Sequence, residues 1–236
     1  QTILETLKIP YTHSGPVASL LAMNKEISKK IFLKNKILTP KYFVITKKNF
    51  NKEKLKRTIF LKKIKFPIVT KPINEGSSIG VKICRSFEHL YNESNALFKQ
   101  HLDLIYEPFI GGQEIQVAVL NNLPLGAIEL QPKRKFYDYK AKYSKSAKTA
   151  HIMPANLNKK KYIEVLKIAK KAHQVLGCRG ITRSDFKFFN NKFYLLELNT
   201  QPGMTNLSLV PEIASYKGIS FENLVEKILR NASLNK

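Results

Sequence analysis

Apolar and polar residues alternate along this chain between the helical period and the strand period, which is typical of mixed α/β architecture. The clearest helical stripe predicts a helix from Asn158 to Gly177, where the glycine suits a C-terminal stop. Asn24 and Ser86 are residue types that cap helices, and apolar positions follow each of them at helical spacing. Further helices are therefore predicted over residues 24–34, 51–65, 86–98 and 221–230.

Short apolar runs between the predicted helices indicate β-strands, and two of their connections contain paired asparagines. Asn121–Asn122 and Asn190–Asn191 each stand between two apolar runs, which predicts two hairpins. The predicted strands are YFVI from Tyr42, PIVTKP ending at Pro72, IGVKI, LIYEPFIGG, the two runs between Glu114 and Leu130, RSDFKFF and KFYLLELN.

The composition is that of a globular protein, because 236 residues with 43% apolar content can bury a core. The sequence contains neither a run of about eighteen uncharged apolar residues nor a signal-peptide pattern at its start. A soluble, cytoplasmic protein without a membrane partner is therefore expected. Cys84 and Cys178 are isolated in sequence, which argues against a zinc site or a disulfide framework and predicts two buried thiols.

The formal net charge of +24 raises the question of a nucleic-acid partner, since basic surfaces collect phosphates. Only six of the 41 basic residues are Arg, and the lysines are spread from Lys8 to Lys236 without an aromatic-rich stripe. No nucleic-acid partner is therefore expected. A polyanion contact through residues 54–65 stays open as an alternative.

A small polar loop, EGSSIG at 75–80, separates two predicted strands. Small residues let backbone amides approach an anion closely, and serine hydroxyls add donors. Lys71 ends the preceding strand and would add a positive charge, so this segment predicts a phosphate cover. A plain tight hairpin is the alternative, because the loop matches neither common glycine-rich phosphate-binding pattern.

Carboxylates near the end of the chain predict a metal site. Asp185 stands on one predicted strand, and Glu197 and Asn199 have the i, i+2 spacing that places both on one face of the next strand. Such oxygen ligands suit Mg²⁺, and Arg183 shares a face with Asp185 and could neutralise a transferring phosphoryl group. The alternative is a pair of ordinary solvated carboxylates, but Glu197 lies within an apolar run, where an unpaired charge is costly.

The register of the second hairpin tests this metal site. A strict two-residue turn at Asn190–Asn191 would pair Asp185 with Leu196 instead of Glu197. The metal hypothesis therefore predicts either a three-residue connection or a β-bulge.

With these features assembled, the chain resembles the D-alanine–D-alanine ligases of the ATP-grasp superfamily. The resemblance covers nearly the whole sequence. The motifs that carry it are PYTHSGPVASLLAMNK, FPIVTKPINEGSSIGV, FYDYKAKY, GCRGITRSDF, LLELNTQPGMTNLSLVP and GISFENLVEKIL.

The resemblance implies an ATP site, in which Lys25 and Lys71 contact the phosphates, residues 107–109 hold the adenine and Glu114 binds the ribose. Pro108 and Phe109 differ from the Lys and Trp that many relatives have, so an altered adenine pocket is expected. The implied ATP-site residues are Lys25, Lys71, Glu75, Gly76, Ser77, Ser78, Glu107, Pro108, Phe109 and Glu114.

The resemblance also implies two Mg²⁺ (or Mn²⁺) per site on Asp185, Glu197 and Asn199. The implied catalytic residues are Arg183, Ser77, Tyr143 and Lys142, of which the last three close over the site from loops. The implied substrate residues are Tyr143, Arg183, Gly203, Ser208 and Leu209.

The implied fold is an ATP-grasp fold of two subdomains, each with a mainly antiparallel sheet and helices. The expected divisions are 1–23, a remnant of an N-terminal substrate lobe, 24–106, the central subdomain, and 107–236, the C-terminal subdomain with the metal and substrate site. Because Gln1 replaces a starting Met and most of that lobe is missing, an incomplete first-substrate site is expected.

The implied activity joins two D-alanines through an acyl phosphate, with ATP as co-substrate and a homodimer as the assembly. Another ATP-grasp carboxylate–amine ligase, a catalytically silent fragment and a basic polyanion-binding module are the alternatives. A cleft that holds Lys71, Arg183, Asp185 and Glu197 together would count against the last of these.

Overall fold

The computed structural model describes residues 1–131, 149–205 and 208–235. Its helices are α1 (Thr2–Thr6), α2 (Pro16–Met23), α3 (Lys25–Lys34), α4 (Lys52–Lys62), α5 (Phe87–Leu97), α6 (Lys159–Val175), α7 (Leu209–Tyr216), α8 (Phe221–Arg230) and a 3-10 turn at Lys47–Asn49. Its strands are β1 (Phe43–Thr46), β2 (Ile68–Pro72), β3 (Lys82–Cys84), β4 (Asp103–Pro108), β5 (Gln113–Leu120), β6 (Leu123–Gln131), β7 (Ala150–Ile152), β8 (Ile181–Phe189) and β9 (Lys192–Asn199).

The first sheet has the strand order β1-β4-β2-β3, and all its pairs are antiparallel. Helices α4 and α5 cover one face of it, and Leu55 and Leu90 from these helices are fully buried against the strands. Phe43 and Tyr106 stack at 4.8 Å between ring centroids across β1 and β4. This sheet therefore has its own apolar core.

The second sheet has the order β7-β6-β5-β8-β9, again with antiparallel pairs. Helix α6 packs on one face, where Val165 and Ala169 are fully buried against the strands. Helices α7 and α8 pack elsewhere on the sheet, around a second core that includes Ile213 and Leu224. Two antiparallel sheets with helices confirm the mixed α/β architecture.

The predicted helix starts are confirmed where a side chain caps the helix. Asn24 accepts from the amides of Glu26 and Ile27 at 3.1 and 3.0 Å, and Asn158 accepts from Lys161 at 2.9 Å. Both asparagine pairs form two-residue turns with positive φ, as predicted. The sequence patterns did not identify α1, α2, α7 and β7, which are short elements without a polar cap bond or a long periodic stripe.

A β-bulge interrupts the pairing of β8 with β9, which confirms the predicted irregularity. Asp185 pairs with Glu197, whereas Phe186 pairs with Leu195, so Leu196 is an additional residue on β9. The amide of Leu195 donates to the carbonyl of Leu38 at 2.9 Å. This external bond gives the interrupted ladder a partner outside the sheet.

The first residues of the chain pack against the body that holds the second sheet. Ala18 and Ala22 of α2 belong to the core on the α6 side, and Ser14 donates to the carbonyl of Arg179 at 3.0 Å. Tyr11 forms an isolated antiparallel bridge with Ser233. The proposed divisions at 23 and 106 stay predictions.

Both cysteines are free and buried, as expected. Within the described ranges, none of the helices is long and apolar enough to cross a membrane.

Candidate active site

Two adjoining cavities open between the sheets, and four residues line both of them: Lys25, Glu75, Gly76 and Glu197. We call the cavity beside β2 and β4 the first cavity and the cavity beside α2 and α7 the second cavity. The first also contains Lys71, Ser78, Glu107, Pro108, Phe109, Glu114 and Asp185. The second also contains Ser77, Arg183, Asn199, Gly203, Ser208 and Leu209.

Every site residue predicted from the sequence lies in one of these cavities, apart from Lys142 and Tyr143, which lie outside the described residues. Lys71, Asp185 and Glu197 share the first cavity, and Arg183 reaches the adjoining second one. The structure thus brings together residues separated by more than a hundred positions in sequence.

The glycine-serine loop covers the boundary between the cavities. Ser77, Ser78 and Gly80 all have positive φ, at 51°, 61° and 69°. A Cβ on Gly80 would lie 2.8 Å from the ring of Pro72, so this position needs glycine both for its backbone and for space. Lys25 donates from its ammonium group to the carbonyl of Glu75, which ties the start of α3 to the loop.

A buried ion cluster borders the first cavity. Glu107 is 3% exposed and forms ion pairs with two lysines, with Lys29 Nζ 2.7 Å from Oε1 and Lys71 Nζ 3.0 Å from Oε2. The Lys29 contact is an ion pair by distance, although its angles are not those of a hydrogen bond. Burial raises the pKa of Glu107, but the charges of Lys29 and Lys71 outweigh it and lower that pKa to about 2.

The pKa values of Lys29 and Lys71 shift in opposite directions, although both lysines are buried. Burial lowers the pKa of Lys29, and the adjacent carboxylate opposes that shift. Burial also lowers the pKa of Lys71, but Glu107 and then Glu197 reverse the effect, so the pKa of Lys71 is raised overall. Lys71 is therefore a firmly charged cation beside the cavity.

Sequence reasoning missed Lys29, although a signal was available. Lys25 and Lys29 are four residues apart, and both lie on the buried face of α3 with Phe32. Lys187 was also missed: it is the cross-strand partner of Glu114, and its ammonium lies 3.0 Å from the Glu114 carboxylate. The predicted ribose ligand is thus oriented by a lysine of the neighbouring strand.

The carboxylates of β8 and β9 lie opposite each other, as the bulge requires. Asp185 is bound by Arg183 in a two-pronged pair, with Nε–Oδ1 and Nη2–Oδ2 distances of 2.8 and 3.0 Å. This pair holds the guanidinium at the junction of the two cavities. The side-chain oxygen of Asn199 accepts from the amide of Gln201 at 2.9 Å, which fixes the third predicted ligand.

The donor chemistry of these residues fits Mg²⁺ when phosphate oxygens complete the site. In residues 1–131, 149–205 and 208–235, no cluster of three or more His, Cys, Asp or Glu could hold a metal by itself. Asp185, Glu197 and Asn199 offer two carboxylates and one amide, all hard oxygen donors. Mg²⁺ commonly takes only one or two protein carboxylates together with phosphates and waters.

The far end of the second cavity is shaped by a turn before α7. Ser208 accepts from the amide of Thr205 at 3.0 Å, and its hydroxyl also lies 2.9 Å from the Thr205 hydroxyl. A Cβ on Gly203 would lie 2.8 Å from the Ser208 oxygen, so glycine there permits this close approach. Ser208 therefore shapes the cavity wall, and it makes no side-chain cap bond to α7.

Comparison with known proteins identifies the family of this site. The family described as D-ala D-ala ligase C-terminus matches residues 31–230. The D-alanine–D-alanine ligase of Pelagibacter ubique (strain HTCC1062) is 60% identical over 237 residues, covering 100% of this chain and 76% of that protein. The chain belongs to the D-alanine–D-alanine ligase family.

Further relatives of the ligase agree with this assignment. The D-alanine–D-alanine ligase of Wolbachia pipientis wMel is 46% identical over 242 residues, covering 100% of this chain and 73% of its own length. The crystal structure of the Bacillus anthracis ligase complexed with ATP has a TM-score of 0.83 at 31% identity, covering 98% of this chain and 73% of that one. The ATP-grasp fold expected from the sequence is confirmed.

Proposed function

We propose that this chain catalyses the ATP-dependent joining of two D-alanines to D-alanyl-D-alanine, a building block for peptidoglycan. The observation that carries this proposal is the meeting of Lys71, Asp185 and Glu197 in one cavity, directly beside a second cavity that contains Arg183 and Ser208. Membership of the ligase family supports the activity, and the ATP complex of the Bacillus anthracis relative supports the nucleotide.

The reaction requires two group transfers. A carboxylate oxygen of the first D-alanine attacks the γ-phosphorus of ATP, forming one O–P bond while the bond to ADP breaks. The amine of the second D-alanine then attacks the acyl carbon, phosphate leaves with the bonding electrons, and the amine loses a proton. Both steps depend on positioning and charge neutralisation more than on a covalent side chain.

The cations of the site suit the first transfer. Lys71 and Lys25 line the first cavity from two elements, β2 and α3, and would hold phosphate oxygens there. Arg183 lines the second cavity, held by Asp185 of the first, and would face the charge that develops on the transferring phosphoryl group. The loop that contains Ser77 and Ser78 would cover that phosphoryl group.

Asp185, Glu197 and Asn199 would hold Mg²⁺ (or Mn²⁺), two ions per site. The metal would neutralise phosphate charge and orient the γ-phosphoryl group. Asp185 would thus both bind the metal and orient the Arg183 guanidinium, with which its carboxylate is paired.

Other residues that line the first cavity suit a nucleobase. Val69, Phe109 and Ile110 supply an apolar wall, and Glu107 is the cross-strand partner of Val69 on β4. Pro108 has no amide hydrogen, and the amide of Phe109 donates to the carbonyl of Pro67 at 2.8 Å. The Glu107 carboxylate and the amide of Ile110 are therefore the groups we assign to recognition of the adenine edge.

Calorimetric titration of Mg-ATP tests the nucleotide site. The wild-type chain should bind, and Asp185→Ala should lose magnesium-dependent binding. Glu129→Gln is the matched control, because Glu129 is a buried carboxylate on the other face of the same sheet, bound to Gln113 and Asn156. Unchanged affinity in Asp185→Ala would remove Asp185 from the metal site.

A phosphate-release assay tests the substrates. We expect ATP-dependent phosphate release and D-alanyl-D-alanine formation with D-alanine. If product forms only when a different amine replaces the second D-alanine, the alternative of another ATP-grasp ligase would be favoured. A chain that binds Mg-ATP and releases no phosphate would support the silent-fragment alternative, while the cleft itself counts against a basic polyanion-binding module.

A cytoplasmic location and a homodimer complete the proposal, and both are what the family resemblance implies. Sedimentation analysis should give twice the 27.1 kDa chain mass. A monomer at micromolar concentration would contradict the dimer and leave the ligase proposal intact.

A further inference from the structure

Lys29 is the most deeply buried cation of the described site, and it does not line either cavity. Its side chain is 0% exposed, and it lies behind Glu107, which separates it from the first cavity. A buried lysine is costly unless it has a partner, so its place in the protein needs a reason. Its ammonium is also 5.8 Å from the ring centre of Tyr42, an additional weak attraction.

The cluster contains one cation more than it has carboxylates. Lys29 and Lys71 share Glu107, and each occupies a different carboxylate oxygen, at 2.7 and 3.0 Å. Only Lys71 lines the first cavity, where the proposed function puts the ATP phosphates. Once nucleotide binds, Lys71 therefore has phosphates to bind in addition to Glu107 and the nearby Glu197, whereas the ion pair of Lys29 in the described residues is with Glu107.

We propose that Lys29 is a positioning residue that acts as the permanent counter-ion of Glu107 and so releases Lys71 to bind ATP. This inference rests on the proposed function. When Lys71 turns to a phosphate, Lys29 keeps the carboxylate of Glu107 paired and ionised. Without Lys29, the departure of Lys71 would leave a buried carboxylate unpaired, so Glu107 would retain Lys71 and compete with the nucleotide.

The same pairing fixes the direction of Glu107. Its Oε1 is paired with Lys29 of α3, whereas Lys71 pairs with the other oxygen, so the contact with Lys29 would remain when Lys71 turns to a phosphate. Glu107 therefore keeps one orientation beside the adenine wall throughout the nucleotide cycle.

A double-mutant cycle on Mg-ATP affinity tests this role. Lys29→Met should weaken Mg-ATP binding about tenfold or more in the wild-type background, because a charge-assisted bond then retains Lys71. In the Glu107→Gln background the same substitution should change affinity by less than about threefold, since a neutral amide holds Lys71 weakly. Lys29→Arg should preserve binding, because it keeps the charge.

The result that overturns the inference is an equal loss of affinity in both backgrounds, which would mean that Lys29 only supports the packing of α3. An unchanged affinity in Lys29→Met would overturn it as well. If Lys29→Met does not fold, Lys29→Gln takes its place in the cycle, since its amide can still contact the carboxylate without a charge.

A second readout separates positioning from stability. The loss in Lys29→Met should be larger for ATP than for adenosine, because only the phosphates compete with Glu107 for Lys71. Equal losses for both ligands would contradict the proposed competition. The proposed function fails separately: a wild-type chain that binds no Mg-ATP would remove the nucleotide site itself, whatever the variants do.

Discussion

His173 is a buried base that the proposed chemistry does not use. Its side chain is fully buried on α6, and its Nδ1 lies 2.8 Å from the hydroxyl of Thr182. Its Nε2 has no hydrogen-bond partner in the parts of the chain that the structure describes. Burial lowers the pKa of His173 to about 4, so the folded protein keeps the ring neutral.

This histidine should make stability depend on pH. Because the folded pKa lies below the value of 6.5 expected on unfolding, the unfolded chain binds more protons between pH 6.5 and about 4. The contribution of His173 to the free energy of unfolding is complete above pH 6.5. It falls by about 3 kcal/mol as the pH drops through that window. The free energy of unfolding, measured with urea at several pH values, should change less with pH in His173→Gln than in the wild type.

His89→Gln is the control for that series, because His89 is half exposed and lies 3.6 Å from Glu93 on the surface of α5. The same pH slope in His173→Gln and the wild type would show that another group carries the dependence.

At the scale of elements, helix α3 joins fold stability to the site. Asn24 caps it, and the next residue, Lys25, donates its amide to Ile73 after β2 and contacts the glycine-serine loop. The buried face of the same helix carries Lys29 toward Glu107. The start of one ten-residue helix thus positions two of the cations beside the first cavity.

Asn24→Ala should therefore lower both the stability of the protein and its affinity for Mg-ATP. The loss of two cap bonds should lower the free energy of unfolding by about 1 kcal/mol and weaken Mg-ATP binding several-fold. Asn158→Ala is matched to it, since Asn158 caps α6 on the other side of the second sheet. It should cost similar stability and leave Mg-ATP affinity unchanged, as measured by thermal unfolding and calorimetry. Weakened binding in both variants would mean that the site responds to general destabilisation.

Elements with strong local signals could be predicted from the sequence. Asn24, Ser86 and Asn158 have side chains that bond backbone amides within three residues, so their effect is readable in a short window. Helix α7 escaped prediction because Pro211 stands in its first turn and the helix has eight residues, too few for a long stripe. Strand β7 has three residues at a sheet edge and depends on pairing with β6.

Some features of the site could likewise be predicted and others could not. The meeting of Asp185 and Glu197 could be predicted, because a charge inside an apolar strand is visible in sequence, while their role as metal ligands stays a prediction. The ion pairs could not: Lys29 meets Glu107 across 78 positions of chain, and Lys187 meets Glu114 across 73. Which of the many lysines forms an ion pair with a carboxylate depends on how distant strands and helices pack together.

At the scale of the whole molecule, Arg179 joins distant parts of the chain. Its guanidinium donates to the carbonyls of Tyr11 and Ser233 at 2.9 and 2.6 Å and lies 4.4 Å from the ring centre of Tyr11. The segment 11–14, the start of β8 and residue 233 are thereby held as one unit.

Arg179→Ala should loosen that unit. We expect a loss of about 2 kcal/mol in the free energy of unfolding, because several bonds to a charged group disappear. Limited proteolysis should cut near Tyr11 faster than in the wild type. Arg230→Ala is the control, since Arg230 is exposed and pairs with Glu226 on its own helix. Equal stability and equal cleavage in the two variants would contradict the structural role of Arg179.

The extra residue on β9 makes metal binding and nucleobase binding separable by a change in chain length. Leu196 lines the first cavity beside Glu197, so two consecutive residues of β9 face the proposed nucleotide site. Deletion of Leu196 would give a regular ladder in which Asp185 still faces Glu197. Such a variant should keep the magnesium dependence of ATP binding and lose affinity for adenosine, and loss of the magnesium dependence would contradict this. By this prediction, one additional residue on a hairpin strand supplies an apolar surface for the base next to a pair of carboxylates.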